Sequence, residues 1–186
     1  MKQVEDAEIL EKFSNEKTRS EAFNLLLSKY QQKIYWHIRR LVIDHDDTDD
    51  LVQDVFIKVW RNLEKFRSDS QLYTWIYRIA TNESITFLNK KKQRNNTPLD
   101  EVSEELADSL VESAYFNGDK LQLKLQQALL TLPEKQRLVF NMKYFDDLKY
   151  EEISEILGTS VGALKASFHI AAKKIETFLL NDDISF

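Results

Sequence analysis

Cysteine is absent from this chain of 186 residues. That excludes a disulfide framework and any thiolate metal site, and it fits a reducing cytoplasm. Glycine occurs only 3 times and proline only 2 times, too few chain breakers for a turn-rich fold, so an all-α chain is expected. No run approaches the ~18 apolar residues of a membrane span, so no membrane insertion is expected. The opening stretch, MKQVEDAEIL, is acidic where a secretory signal would be basic and then apolar. Basic residues are in the minority, with a net charge of −5, but an acidic average leaves nucleic-acid binding open because local patches decide it. The apolar content, 42%, suffices for one domain or two small ones with a core each.

What is present centres on Asp49–Leu63, DDLVQDVFIKVWRNL. At helical spacing, Leu51, Val52, Val55, Phe56, Val59, Trp60 and Leu63 share one broad face, which predicts a core-facing stripe. Asp50, Gln53, Asp54, Lys58 and Arg61 occupy the other face. Ile57 interrupts that polar face one turn beyond Gln53 and Asp54. A single exposed isoleucine is common. Framed by carboxylates and an amide, it also fits a docking surface.

The remaining segments follow the same logic. Residues 5–13 read as a short amphipathic helix, and 19–43 as a longer one with Phe23, Leu26, Leu27, Tyr30, Ile34, Ile38 and Leu41 on one side. Asp44 to Asp50, DHDDTDD, gathers carboxylates just before the central helix, as N-capping and the helix dipole favour. A polar connection, 64–71, surrounds Phe66. A helix then runs from Leu72 to about Arg94, opening with Tyr73, Trp75 and Tyr77 and ending in Lys90, Lys91, Lys92 and Arg94. Basic residues at a helix C-terminus complement its dipole, and aromatics followed by a basic end also suit single-stranded nucleic acid.

Composition shifts at Asn95. Between Pro98 and Asp119 lie seven acids and no Lys or Arg, which predicts a linker separating two domains. The expected boundaries are 1–95, 96–119 and 120–186. Such a linker is repelled by DNA and could lie against basic helix ends. Beyond it, helices are predicted over 121–130 and 134–144, the second opened by Thr131-Leu-Pro-Glu134 with capping-box spacing. After the polar turn Asp146-Asp147 comes a short helix, 150–157, then Gly158, then Ser160 as cap for a last helix over 161–179. Short helix, glycine turn and capped second helix match a helix-turn-helix. The last helix presents Gly162, Ala163, Ala166, His169, Ile170 and Lys173 on its outer side, flanked by Lys165 and Lys174. Small residues near its start allow close approach to a surface such as the major groove, where lysines reach phosphate or base edges. A helical hairpin with a solvated lysine face is the plainer alternative.

Taken together, DDLVQDVFIKVWRNLEKFRSDSQLYTWIYRIATN and LPEKQRLVFNMKYFDDLKYEEISEILGTSVGALKASF resemble regions 2 and 4 of bacterial RNA polymerase sigma factors. The layout without a middle domain is similar to the extracytoplasmic-function, group 4, subfamily. This resemblance implies that Asp50, Gln53, Asp54 and Ile57 dock on the clamp helices of core RNA polymerase. It implies that the loop Phe66, Arg67, Ser68, Asp69, Ser70 and Gln71, with the helix after it, captures an unstacked base of the −10 element. Asn82 matches a position that contacts melted DNA, and Tyr77, Lys90 and Lys91 lie on the same helix. Lys143, Lys165, Ala166, His169 and Ile170 fall at positions associated with duplex −35 DNA. Ser167, Ile170 and Ala172 stand where the family often has arginine, and Thr86 and Asn89 where it usually has Asp and Arg. Fewer cations imply fewer phosphate contacts and a shallower salt dependence.

The expected function is a sigma factor that directs core polymerase to promoters, without catalysis, metal or cofactor, in the cytoplasm, and held in check by an anti-sigma factor. A free-standing helix-turn-helix regulator is the second possibility. It leaves the first half of the chain without a role. An enzyme with Mg²⁺ at DHDDTDD is disfavoured, because no second carboxylate cluster accompanies it and His37, His45 and His169 are far apart in sequence.

Overall fold

A computed structural model describes residues 4–94 and 120–181. The acidic segment expected to link two domains lies outside them. Regular structure among the described residues is helical: α1 (Asp6–Phe13), α2 (Arg19–Val42), α3 (His45–Asn62), a 3-10 turn (Leu63–Lys65), α4 (Leu72–Arg94), α5 (Lys120–Leu130), α6 (Glu134–Tyr144), α7 (Tyr150–Leu157) and α8 (Val161–Asn181).

The first four helices pack around the apolar stripe of α3. Leu51, Val52, Val55, Phe56 and Val59 are buried against Leu26, Ile34 and Ile38 of α2 and Leu72, Ile76 and Ala80 of α4. Burying each of the larger side chains contributes about 1.5–3 kcal/mol. Trp60, which the helical pattern assigned to this stripe, is instead 37% exposed. It closes the edge of the core, packing edge-on against Phe13 at 5.3 Å and Phe23 at 4.9 Å, with the Arg19 guanidinium 4.8 Å from the Phe13 ring. Lys29 ties α1 down by donating to the Val4 carbonyl and to Asp6.

The turn from α2 to α3 is tight. Ile43 takes φ 66, unusual for a β-branched residue, while its side chain is buried. Asp44 then caps α3, its carboxylate accepting from the Asp47 N–H at 2.9 Å. The helix therefore starts at His45, four residues before the sequence reading placed it, and the aspartates form its first turns instead of preceding them. Negative charge there complements the helix dipole. Asp47 also accepts from Lys91 of α4 at 3.2 Å.

In the second half the capping box expected at Thr131 and Glu134 does not form. The Thr131 hydroxyl donates to the Ala128 carbonyl at 2.7 Å, closing α5, and Pro133 occupies the cap position of α6. One half of such a box appears one helix later, where Glu152 accepts from the Lys149 N–H at 2.7 Å. Gly158, at φ 62, ends α7 in the left-handed conformation that glycine adopts without strain. Ser160 caps α8 by accepting from the Ala163 N–H.

The two halves are joined by their cores. A small cluster, Ala128, Leu129, Leu132, Phe140, Ala171 and Ile175, belongs to the second half alone. Leu138, Val139, Met142, Ile153, Ile156 and Leu164 belong instead to the same apolar cluster as α2, α3 and α4. Three tyrosines sit in or beside this cluster. Burial raises the pKa of Tyr30 and Tyr77, and raises that of Tyr73 to about 12 with help from a hydrogen bond to Glu152. The unfolded chain ionises such phenols near pH 10. Their contribution is therefore full below that value and is lost as pH rises toward the folded values. Thermal midpoints are expected to hold steady up to about pH 10 and then fall steeply with rising pH. Midpoints unchanged up to pH 12 would refute this burial.

Candidate functional site

Three exposed surfaces emerge, and they do not overlap. The first lies on α3. Asp50, Gln53, Asp54 and Ile57 are all exposed on one side of the helix, and Ile57 is 46% exposed. Ile57 is not solitary. It stands with Gln53 on the rim of a groove of about 730 Å³ floored by Phe23, Leu27, Val52, Phe56 and Trp60. The contribution of α2 to this groove was not visible in the periodicity of α3, because a groove needs two helices and each pattern describes one.

The second surface surrounds the loop after the 3-10 turn. Arg67, Ser68, Asp69 and Gln71 are exposed, and Phe66 and Ser70 are half-buried. Ser68 adopts φ 58, and Phe66 packs on Trp75 with ring centres 5.4 Å apart. Beside the loop a cavity of about 360 Å³ is lined by Lys58, Asn62, Lys65, Trp75, Ile79 and Asn82. Asn82 is exposed at its edge, and Lys58 pairs with Glu83 across it at 2.5 Å. Lys90 is exposed, whereas Lys91 is committed to Asp47.

Tyr77 does not join this surface. It is 3% exposed and packs 4.9 Å from the His37 ring. Its helical phase places it with Ile76 and Ala80 in the core, while Trp75 is the ring of that aromatic cluster that lines the cavity. Trp75 belongs to the aromatic cluster noted in the sequence, whereas the other cavity-lining residues Lys58, Asn62 and Lys65 were not singled out there. The last three lie at the end of α3 and in the turn after it, where the hydrophobic pattern gives no reason to single out a polar residue.

The third surface is the outer side of α8. Gly162, Ala163, Lys165, Ala166, His169, Ile170, Lys173 and Lys174 are exposed, while Leu164, Ala171 and Ile175 are buried behind them. A Cβ built on Gly162 meets no atom within 4 Å, so packing within the protein does not require a glycine there. Lys143 of α6 is drawn to this surface. Its Nζ lies 5.5 Å from the Tyr150 ring and donates to the Leu148 carbonyl. The Lys165 Nζ lies 5.7 Å from the same ring, so Tyr150 gathers two cations from different helices. Lys174 donates to Gln136 at 3.1 Å.

A fourth arrangement was not anticipated. Asp146, read as part of a polar turn, has a side chain only 4% exposed, with His37 and Arg40 of α2 on its two oxygens. Among the described residues no three His, Asp or Glu side chains gather as a metal site, and no helix there is long and apolar enough to cross a membrane.

Comparison with known proteins matches two stretches of the chain. Residues 26–94 match the family model for sigma-70 region 2, and residues 122–175 match that for sigma-70 region 4. The chain is 31% identical to RNA polymerase sigma-H factor of Pseudomonas aeruginosa, covering 95% of each chain. It is 34% identical to ECF RNA polymerase sigma-E factor of Escherichia coli K12, covering 87% of this chain and 88% of that one. Against ECF RNA polymerase sigma factor SigW of Bacillus subtilis the identity is 32%, with 80% and 84% covered. Two solved structures share the fold at 22% identity. One is the sigma factor RpoE of Bartonella quintana in complex with the anti-sigma factor NepR, at TM-score 0.66 over 84% of this chain and 96% of that one. The other is CnrH in complex with the cytosolic domain of CnrY, at TM-score 0.67 over 94% and 96%. The region 2 match accounts for the half of the chain that a free-standing helix-turn-helix regulator leaves unused. This chain belongs to the extracytoplasmic-function group of the sigma-70 family of RNA polymerase sigma factors.

Proposed function

We propose that the three surfaces divide promoter recognition between them, and that the residue assignments follow that division. The α3 groove with Asp50, Gln53, Asp54 and Ile57 docks on core RNA polymerase. The 66–71 loop, the Trp75 cavity and Asn82 receive a base taken out of the −10 duplex, with Lys90 on the neighbouring strand. The outer side of α8, with Lys143, reads the −35 duplex. Residues 1–95 and 120–186 then serve as the two working domains, and 96–119 as their tether.

The observation that carries this reading is the outer side of α8. It offers small side chains where the helix begins, open space in front of Gly162, and cations at Lys165, Lys173 and Lys174. The start of a recognition helix needs this arrangement to enter a major groove. Melting needs no covalent chemistry. Unstacking a base costs a few kcal/mol. A pocket that binds the flipped base and not the paired one shifts the equilibrium by that difference in affinity. The protein on this reading is not an enzyme and works in the cytoplasm with polymerase. Because two sigma factors of the same fold were solved with anti-sigma partners, the same class of partner is proposed here.

Lys165→Ala is expected to weaken binding of the holoenzyme to its preferred −35 sequence by about 1–3 kcal/mol if the ammonium touches a base edge. Binding isotherms on the preferred duplex and on one with a substituted −35 element make the test. An equal loss on both assigns Lys165 to phosphate. No loss on either removes α8 from the interface.

A further inference from the structure

The two DNA-reading halves are locked together by a buried ionic contact. Asp146 lies in the turn between α6 and α7. One of its oxygens contacts His37 Nδ1 at 2.8 Å, and the other accepts from an Arg40 guanidinium N–H at 2.9 Å. His37 is 1% exposed, and its Nε2 lies 2.9 Å from the Thr81 hydroxyl of α4. Arg40 stacks on Phe145, its guanidinium carbon 4.6 Å from the ring centre. Asp146 thus binds α2 directly and α4 through His37. Around this point α7 packs on α4, with Ile153 and Ile156 in the same cluster as Ile76 and Ala80.

A buried ion pair adds little net stability over an apolar equivalent, but losing one partner leaves an uncompensated charge. Its effect is to fix one docking position. That position is incompatible with spanning a promoter. Elements centred at −10 and −35 are about 25 base pairs apart, or about 85 Å of duplex at 3.4 Å per step. A compact body of this chain length has a radius of gyration of about 16 Å. The α3 groove and the α8 outer side are each exposed in the closed arrangement, so each partner can be met singly. Both promoter elements can be engaged together only after the halves separate.

We propose that Asp146, with Arg40 and His37, is a catch that holds the free factor closed. Release of the catch makes simultaneous −10 and −35 binding possible. The proposal rests on the promoter-binding assignment of the two halves. Closure lowers the apparent affinity for a complete promoter by the fraction of molecules that are open. It leaves single-site encounters intact.

The absence of cysteine allows a direct test. Ser28→Cys on α2 and Thr177→Cys on α8, both exposed positions, carry a donor and an acceptor dye on the full chain. The free protein is expected to show one short-distance population and scattering dimensions of a compact particle. Asp146→Ala is expected to raise the open-to-closed ratio by about tenfold or more. Asp146→Asn and Arg40→Met, which preserve bulk, are expected to shift it in the same direction by less. These two decide the matter if the alanine variant loses its circular dichroism. Unchanged distance distributions in the folded variants overturn the catch, as does a wild-type chain that is already extended. These distances are read without polymerase or DNA. Adding core polymerase and a promoter to the labelled wild type tests the promoter-binding reading separately, because a chain that opens on Asp146→Ala yet never binds a promoter refutes that reading and leaves the catch intact.

Discussion

Combining Asp54→Arg with Ile57→Asp will weaken association with core RNA polymerase by about 4 kcal/mol or more, on the order of 1,000-fold. Ile57 is a bare apolar group at the rim of a groove already floored by Phe23, Phe56 and Trp60. An apolar anchor beside a preformed pocket, with charges around it, is the usual arrangement of an interface hot spot. Placing a carboxylate at 57 introduces a charge that docking would have to desolvate. The arginine at 54 reverses the sign that selects the partner. Both side chains are exposed and appear in no ion pair or side-chain hydrogen bond described above. The variant should therefore unfold within about 0.5 kcal/mol of the wild type. That contrast makes the result interpretable. Affinity for core measured by fluorescence titration should collapse while urea midpoints stay in place. Undiminished affinity would remove α3 from the polymerase interface.

Ile153→Ala will lower the free energy of unfolding by about 2–5 kcal/mol, the cost of removing buried methyl groups and leaving a cavity. Ile153 is on α7 and is fully buried, in the cluster shared with α2, α3 and α4. The chain has 3 tryptophans, Trp36, Trp60 and Trp75, all in the first half. Their fluorescence therefore reports unfolding of that half alone. If the two halves share a core, the tryptophan-detected urea midpoint falls although the substitution lies in the other half, and it falls together with circular dichroism. A tryptophan midpoint that stays put while ellipticity shifts would mean that the halves unfold independently.

These experiments bear on features that were not equally legible in the sequence. Ile57 and the outer side of α8 were legible because both depend on helical periodicity, a local property of a short window. The helices themselves followed from the scarcity of glycine and proline and from the spacing of Leu51, Val55 and Val59. Asp146 was not legible. It is 109 positions from His37, and no local pattern distinguishes a solvated turn aspartate from one buried against another helix. Tyr77 was misplaced for a related reason. On a helix enclosed by neighbours on more than one side, an aromatic can face core or ligand, and α4 has α3 on one flank and α7 on another. The capping box at Thr131 failed because two carbonyl-closing and N-capping roles competed for one hydroxyl. The end of α5 took it. The domain boundaries around 96–119 fall on residues outside those described, so the acidic run remains an expectation from composition.

Leu164 occupies a revealing place between these scales. It lies on α8, the proposed recognition helix, yet its side chain belongs to the cluster that holds the first half together. Its neighbours Lys165, Ala166, His169 and Ile170 face outward and carry none of that packing. Substitutions at the outward positions can therefore accumulate under selection for new promoters with little burden on folding. Drift at Leu164 is tied to the integrity of the first half, where polymerase docking is proposed. On the proposed division of surfaces, promoter preference is evolvable at one set of positions and frozen at the position beside them.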